Sequence, residues 1–279
     1  MQSLLDVLNK SAEFLQRKNV ANSRLDAELL LAHYLECERL DLYLQYDRLL
    51  TESQLAELRP LVRRRSRREP LQYIIGEVDF LDLRIRVDNR ALIPRSETEE
   101  LVTLAIDQIQ NPPDRILDLG TGSGVIAMGL ANAFCQAEVT AVDSSMEAIQ
   151  LASENLRLSG LNDRITLVQS DWFASVKGNY DMIVSNPPYL SLDEWDTSQP
   201  EIRGFEPVGA LVSKDGGLYD AQLILERAPE FLRGESPIVM EHGLGQYSVL
   251  AAMAEKRGYH SIESAQDISG RDRFLVARY

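Results

Sequence analysis

Only two cysteines (Cys37 and Cys135) and three histidines (His33, His242 and His260) occur in the 279 residues. Neither cysteine sits in a Cys-x-x-Cys spacing and the histidines are scattered, so no disulfide framework and no metal site is expected. No apolar run approaches the roughly 20 residues that span a bilayer. The segment Met1 to Lys10 alternates polar with apolar residues and carries Asp6, so it does not read as a signal peptide. These absences point to a cytoplasmic protein with free thiols and no membrane partner. Positive charge is also scarce beyond residue 70. Residues 71–279 hold 17 Lys and Arg against 32 Asp and Glu, a balance of −15, whereas residues 1–70 hold 12 against 11. A surface this acidic repels phosphate backbones, which argues against DNA as a partner and suits a cationic cofactor or a basic protein.

What is present begins with helices. Leu4, Leu8, Ala12 and Leu15 fall on one helical face. Ser23 with Asp26, and Thr51 with Gln54, have the spacing of capping boxes. The second should open a helix ending near Arg68, kinked or divided at Pro60. Arg63, Arg64, Arg65, Arg67 and Arg68 cluster at its end. They read as cations on a solvated face complementing the helix dipole, with a contact patch for RNA or an acidic partner as the alternative. From Leu71 to Ile93 the composition shifts to alternating β-branched and aromatic residues, as in Leu83 to Val87, which predicts a hairpin. The expected organisation is a helical domain over 1–70, a β-hairpin linker over 71–95 and a third region over 96–279.

In that third region a helix starting near Thr98 is broken by Asn111-Pro112-Pro113, and strands then alternate with helices. Strands are expected at Ile116–Leu119, Val139–Val142, Ile165–Val168, Met182–Val184, Ile238–Glu241, His260–Glu263 and Phe274–Ala277. This is the signature of an open α/β sheet, whose ligands bind at the carboxyl ends of the strands.

Three consecutive strand ends carry chemistry. The first continues as Asp118-Leu119-Gly120-Thr121-Gly122-Ser123-Gly124, a loop whose glycines permit a tight turn and close approach to a ligand. Its G-x-G-x-G spacing differs from the dinucleotide fingerprint, and no P-loop lysine is present. The second ends in Asp143, placed to accept hydrogen bonds from ribose hydroxyls. The third ends in Asp171-Trp172, where an indole can pack on adenine and a carboxylate can meet its amino group. A sulfonium nucleoside, S-adenosylmethionine, fits this acidic, phosphate-free set, with Asp118 expected to face its ammonium group. Gly120, Thr121, Gly122, Ser123, Gly124, Asp143 and Trp172 are the candidate cofactor residues, and S-adenosylhomocysteine the expected product.

The fourth strand ends in Ser185-Asn186-Pro187-Pro188-Tyr189. Two prolines fix the backbone, so the Asn186 side chain and the Pro187 carbonyl offer two rigid acceptors for an NH2 group. Tyr189 can pack against a flat amide. Amide nitrogen is a poor nucleophile, and accepting its two hydrogens orients it and pushes electron density toward it. Asn186, Pro187, Pro188 and Tyr189 are therefore the candidate catalytic residues.

Asn186 to Tyr189 and the loop from Asp118 to Gly124 resemble the class I methyltransferases that act on planar nitrogens. Leu92-Ile93-Pro94-Arg95-Ser96-Glu97-Thr98-Glu99 is similar to the Ile-Pro-Arg-Pro-Glu-Thr-Glu segment of one family among them, with Ser96 in place of its second proline. Phe205-Glu206-Pro207, Ala210-Leu211, Glu241-His242-Gly243 and Asp26 to Leu30 also resemble that family, the PrmC (HemK) peptide chain release factor glutamine N5-methyltransferases. The resemblance implies a seven-stranded, Rossmann-like class I sheet with a small N-terminal helical domain, and because every cofactor signal lies from Asp118 onward, residues 1–70 are expected to hold the protein substrate. It also implies a reaction at the glutamine of the Gly-Gly-Gln loop of class I release factors. A glutamine of a ribosomal protein is an alternative acceptor. Adenine N6 in DNA is a weaker one on electrostatic grounds.

Overall fold

The computed structural model describes residues 1–279, and the chain divides into two units: Met1–Glu77 with Gln199–Phe205, and Val78–Ser198 with Glu206–Tyr279.

The first unit is helical. Strand β1 (Gln2–Ser3) pairs with β2 (Leu49–Leu50), and between them run α1 (Leu4–Arg17), α2 (Ser23–Leu35) and α3 (Arg39–Leu44). Helix α4 (Glu52–Ser66) and the short α5 (Leu71–Ile75) follow. Leu4, Leu8 and Leu15 of α1 are wholly buried against Leu30 and Leu31 of α2 and Leu55 and Leu58 of α4. Thr51 and Gln54 form the expected capping box. Ser23 does not: Asn22 stands at the N-cap of α2 and makes no side-chain cap bond. The reason is that the Asp26 carboxylate turns inward to Arg65, 2.6 Å away. Helix α4 also runs through Pro60 undivided. Pro60 and Ala56, whose carbonyl loses its donor there, both lie on the exposed side, so the freed carbonyl faces solvent and is not buried unpaired.

The arginine cluster is neither a solvated face nor a uniform patch. Arg65 is buried and binds Asp26 together with Glu201 at 2.9 Å. Arg68 grips both oxygens of Glu201 at 2.8 and 2.6 Å, and Arg64 pairs with Glu69. Arg63 and Arg67 are exposed. The ion pairs seat the one-turn helix Pro200–Phe205 within this unit.

The hairpin is shorter than the sequence pattern predicts: β3 (Glu77–Phe80) and β4 (Leu83–Arg86) pair with each other, while Leu71–Ile75 of the first unit coils as a helix closed by Gly76 at φ +87°. After α6 (Ser96–Asp107) come β5 (Arg115–Leu119), α7 (Val125–Ala133), β6 (Glu138–Asp143), α8 (Met146–Ser159), β7 (Ile165–Gln169) and β8 (Met182–Ser185). The chain continues through α9 (Leu192–Thr197), α10 (Tyr219–Arg227), β9 (Pro237–Glu241), α11 (Tyr247–Lys256), β10 (His260–Gln266) and β11 (Asp272–Arg278). All seven expected strands form one sheet, ordered β10-β11-β9-β8-β5-β6-β7, with β11 antiparallel to both neighbours. Strands β8 and β9 are buried along their whole length, as central strands covered on both faces must be.

Strand β5 has its sequence successor β6 on one side and β8 on the other. The chain order reverses there, so the connections leaving β5 and β8 diverge and open a crevice above their carboxyl ends.

Candidate active site

The crevice is a cavity of about 290 Å³, at the low end of the ~300–1,000 Å³ common for small-molecule sites. The loop after β5 forms its floor. Gly120, Gly122 and Gly124 have φ of +76°, +55° and +90°, left-handed values that a side chain would strain. Two anchors hold this loop. Gly120 and Thr121 donate their N–H groups to the Val142 carbonyl at 2.9 Å. Asn155 of α8 donates at 3.0 Å to the Ser123 carbonyl and to that of Arg86 on the hairpin.

Asp143, at the end of β6, accepts Gly122 N–H at 2.9 Å with one oxygen and Ser145 N–H at 2.9 Å with the other. Burial pushes its carboxyl above the ordinary range, against the pull of those donors. Asp143 also lines the cavity. Trp172 follows β7 with φ +45°, an uncommon conformation for a bulky residue, fixed by the Ser170 hydroxyl, which donates to its carbonyl at 2.8 Å. The indole lies over Gly120, and its N–H donates to Asp220 of α10 at 3.1 Å. The other Asp220 oxygen accepts from the Ser213 hydroxyl at 2.6 Å. Asp171 and Asp220 both line the cavity.

Asp118 departs from expectation. It is fully buried beneath the loop and does not line the cavity. Its Oδ2 accepts from the Thr121 hydroxyl at 2.6 Å and from Ala127 N–H at 3.2 Å, bracing the start of α7, while Oδ1 has no partner. Burial pushes this carboxyl up to about 7, against those two bonds, with Asp143 adding to the rise. An ammonium group in the cavity would meet Asp171 or Asp220 before Asp118.

Asn186 and Pro188 border the same cavity beside Thr98. The Asn186 amide donates through Nδ2 to Thr98 Oγ1 at 3.1 Å, and Thr98 in turn donates to Glu241 Oε2 at 3.4 Å. Pro187 is buried, and neither it nor Tyr189 is part of the cavity wall. The Tyr189 hydroxyl donates to Glu241 Oε1 at 3.1 Å and accepts from Arg273 at 2.6 Å. The Arg273 guanidinium sits 4.8 Å over its ring. Burial pushes Glu241 up to about 7, with Arg273 pulling it down. No three His, Cys, Asp or Glu residues stand grouped as for a metal ion.

Several of these residues carried no role in the sequence. Thr98 and Glu241 belong to segments noted only as family matches. Glu206, from another such segment, accepts from Ile93 N–H at 3.2 Å and from Arg95 at 2.5 Å, tying the entry to α6 against the stretch after residue 205. Asp220 had no signal at all, being one acid in an ordinary amphipathic helix.

Comparison with known proteins places this geometry. Residues 6–76 match the PrmC N-terminal domain, and residues 100–199 match the methyltransferase small domain. The chain is 38% identical over 281 residues to the release factor glutamine methyltransferase of Rhodopirellula baltica, covering 98% of this chain and 95% of that one. It is 38% identical over 273 residues to the protein of the same name from Geobacter sulfurreducens, with the same coverage. The chain belongs to the release factor glutamine methyltransferase family. It is an enzyme that transfers methyl groups. Among solved structures, a methyltransferase from Pyrococcus furiosus is similar in fold alone, with a TM-score of 0.54 at 19% identity, covering 71% of this chain and 89% of that one. In this glutamine methyltransferase family member no helix is long and apolar enough to cross a membrane.

Proposed function

We propose that the enzyme transfers a methyl group from S-adenosylmethionine to the side-chain amide nitrogen of the glutamine in the Gly-Gly-Gln loop of class I release factors, in the cytoplasm. The observation that carries the acceptor chemistry is the Asn186 amide at the cavity wall. Its NH2 is committed to Thr98, which leaves Oδ1 as the group available to an incoming N–H donor. The names of the relatives support the choice of release factors over a ribosomal glutamine. The acidic balance of residues 71–279 weighs against DNA.

The cavity fits the cofactor on its own geometry: left-handed glycines where a ligand approaches the backbone, a cavity-lining carboxylate at the end of the second strand, and an indole fixed at the rim. When bound, S-adenosylmethionine supplies a methyl group on a positively charged sulfur that departs as a neutral thioether. Gly120 to Gly124 and Asp143 hold the nucleoside and Trp172 covers it. Asn186 Oδ1 accepts a hydrogen of the glutamine amide and turns the nitrogen toward the methyl carbon, while the buried Pro187 fixes the backbone that carries Asn186. In-line placement of this kind contributes about 7–11 kcal/mol. The amide proton becomes acidic only as the new C–N bond forms, so no strong base is required beforehand and the proton passes to solvent once the methyl group has been transferred. Tyr189 acts from behind the wall, through Glu241, and the helical residues 1–70 hold the release factor.

Asp143→Ala should weaken S-adenosylmethionine binding by about 1.5–3 kcal/mol, the range for hydrogen bonds to a charged acceptor. Asp143→Asn should do nearly as badly, because its NH2 would point at one of two backbone N–H donors, Gly122 or Ser145. Titration calorimetry showing wild-type affinity in Asp143→Ala would remove this residue from the site.

A further inference from the structure

We infer that Thr98 and Glu241 are positioning residues that set the polarity of the Asn186 amide, so that its oxygen and not its NH2 faces the acceptor glutamine. The inference rests on the proposed amide chemistry and deepens it.

An asparagine side chain is nearly symmetric in shape, and a flip by half a turn exchanges an acceptor for a donor. At Asn186 such a flip would present N–H to the N–H of the substrate. Something must forbid it, and the chain Asn186–Thr98–Glu241 does so by elimination. Glu241 is wholly buried. Its Oε1 is occupied by the Tyr189 hydroxyl at 3.1 Å and Arg273 at 3.3 Å, so Oε2 is the oxygen that faces Thr98. An ionised carboxylate can only accept. The single hydrogen of the Thr98 hydroxyl is therefore drawn to Glu241, and only lone pairs remain for Asn186. The Asn186 group facing Thr98 must then be the donor, Nδ2, as found at 3.1 Å. Helix α6 brings Thr98 to the site, β9 brings Glu241 and the stretch after β8 brings Asn186, so three separate elements converge on one rotamer.

Glutamine at 241 would keep the shape and lose the rule. Tyr189 and Arg273 both donate to the Oε1 position, so the glutamine oxygen must lie there and its NH2 must face Thr98. The Thr98 hydrogen is then free to turn toward Asn186, and either orientation of the amide is satisfied.

The test compares Thr98→Val, Thr98→Ser, Glu241→Gln and Asn186→Ala, with S-adenosylmethionine and a release factor as substrates. Rates are read well above the Glu241 pKa of about 7, where the carboxylate is ionised. Thr98→Val should lower kcat about ten- to hundredfold, the effect of leaving buried polar groups unpaired at a reacting contact, with S-adenosylmethionine affinity unchanged within about twofold. Thr98→Ser, which keeps the hydroxyl, should recover most of kcat, and Glu241→Gln should fall with Thr98→Val. Wild-type kcat in Thr98→Val, or Thr98→Ser as slow as Thr98→Val, overturns the inference. Should Glu241→Gln fail to fold, the two Thr98 variants decide alone. Asn186→Ala separates the layers: a slow Asn186→Ala with a normal Thr98→Val removes only the polarity device, whereas a normal Asn186→Ala removes the amide reading beneath it.

Discussion

Replacing Asn186 by alanine should leave S-adenosylmethionine affinity nearly intact and lower turnover a hundred- to thousandfold, about 2.7–4 kcal/mol by analogy with the loss of one positioned polar contact to a reacting group. Asn186→Asp is the finer experiment. From the acceptor role alone, aspartate should keep measurable activity, because both of its oxygens accept. The structure argues otherwise. Asn186 Nδ2 donates to a hydroxyl whose own hydrogen is directed at Glu241. Aspartate would set lone pairs against lone pairs there and add a second carboxylate one residue removed from a buried one. Asn186→Asp is therefore expected to be nearly as slow as Asn186→Ala. Single-turnover rates on a release factor measure the chemical step directly, and an aspartate variant within tenfold of wild type would show that the Thr98 contact is dispensable.

The largest expected effect on stability lies in the helical unit. Arg65→Met should destabilise it by about 3–5 kcal/mol, the range for deleting one member of a buried ion pair, because Asp26 and Glu201 would both lose their buried cation. Arg63→Met, an exposed change in the same run of arginines, should stay within about 0.5 kcal/mol. Chemical denaturation of the two full-length variants makes the comparison. Equal stabilities would mean that the Asp26–Arg65–Glu201 cluster contributes no more than a surface pair.

The contrast between those arginines shows where the sequence is legible. The strands were readable because each is a short apolar run closed by a turn, and the sheet is buried on both faces along β8 and β9. The glycine loop, Asp143, Trp172 and Asn186 could be expected around one cavity, which they line, because ligands of such sheets bind at strand ends, a rule of topology and not of contact. What could not be read were pairings across sequence distance. Arg65 meets Asp26 across 39 residues and Glu201 across 136, so a cluster that looks solvated in sequence is partly an internal clamp. Thr98 reaches Asn186 across 88 residues, and Trp172 finds Asp220 across 48. Asp118 failed for a related reason. A strand-end carboxylate beside a glycine loop reads as a ligand, yet this one is buried beneath the loop, where its Oδ2 accepts from Thr121 and Ala127. The Arg65 contact likewise turns the Asp26 carboxylate away from the helix start where a capping box would need it.

The central claim is that a release factor glutamine amide receives the methyl group, and mass spectrometry of the product tests it most directly. Purified enzyme is incubated with S-adenosylmethionine and, in parallel, with a class I release factor, ribosomal proteins and duplex DNA. Fragmentation should place one methyl group on the side-chain nitrogen of the glutamine in the Gly-Gly-Gln loop, with the ribosomal proteins and DNA unmodified. An unmodified release factor alongside a methylated ribosomal glutamine or adenine would contradict the account.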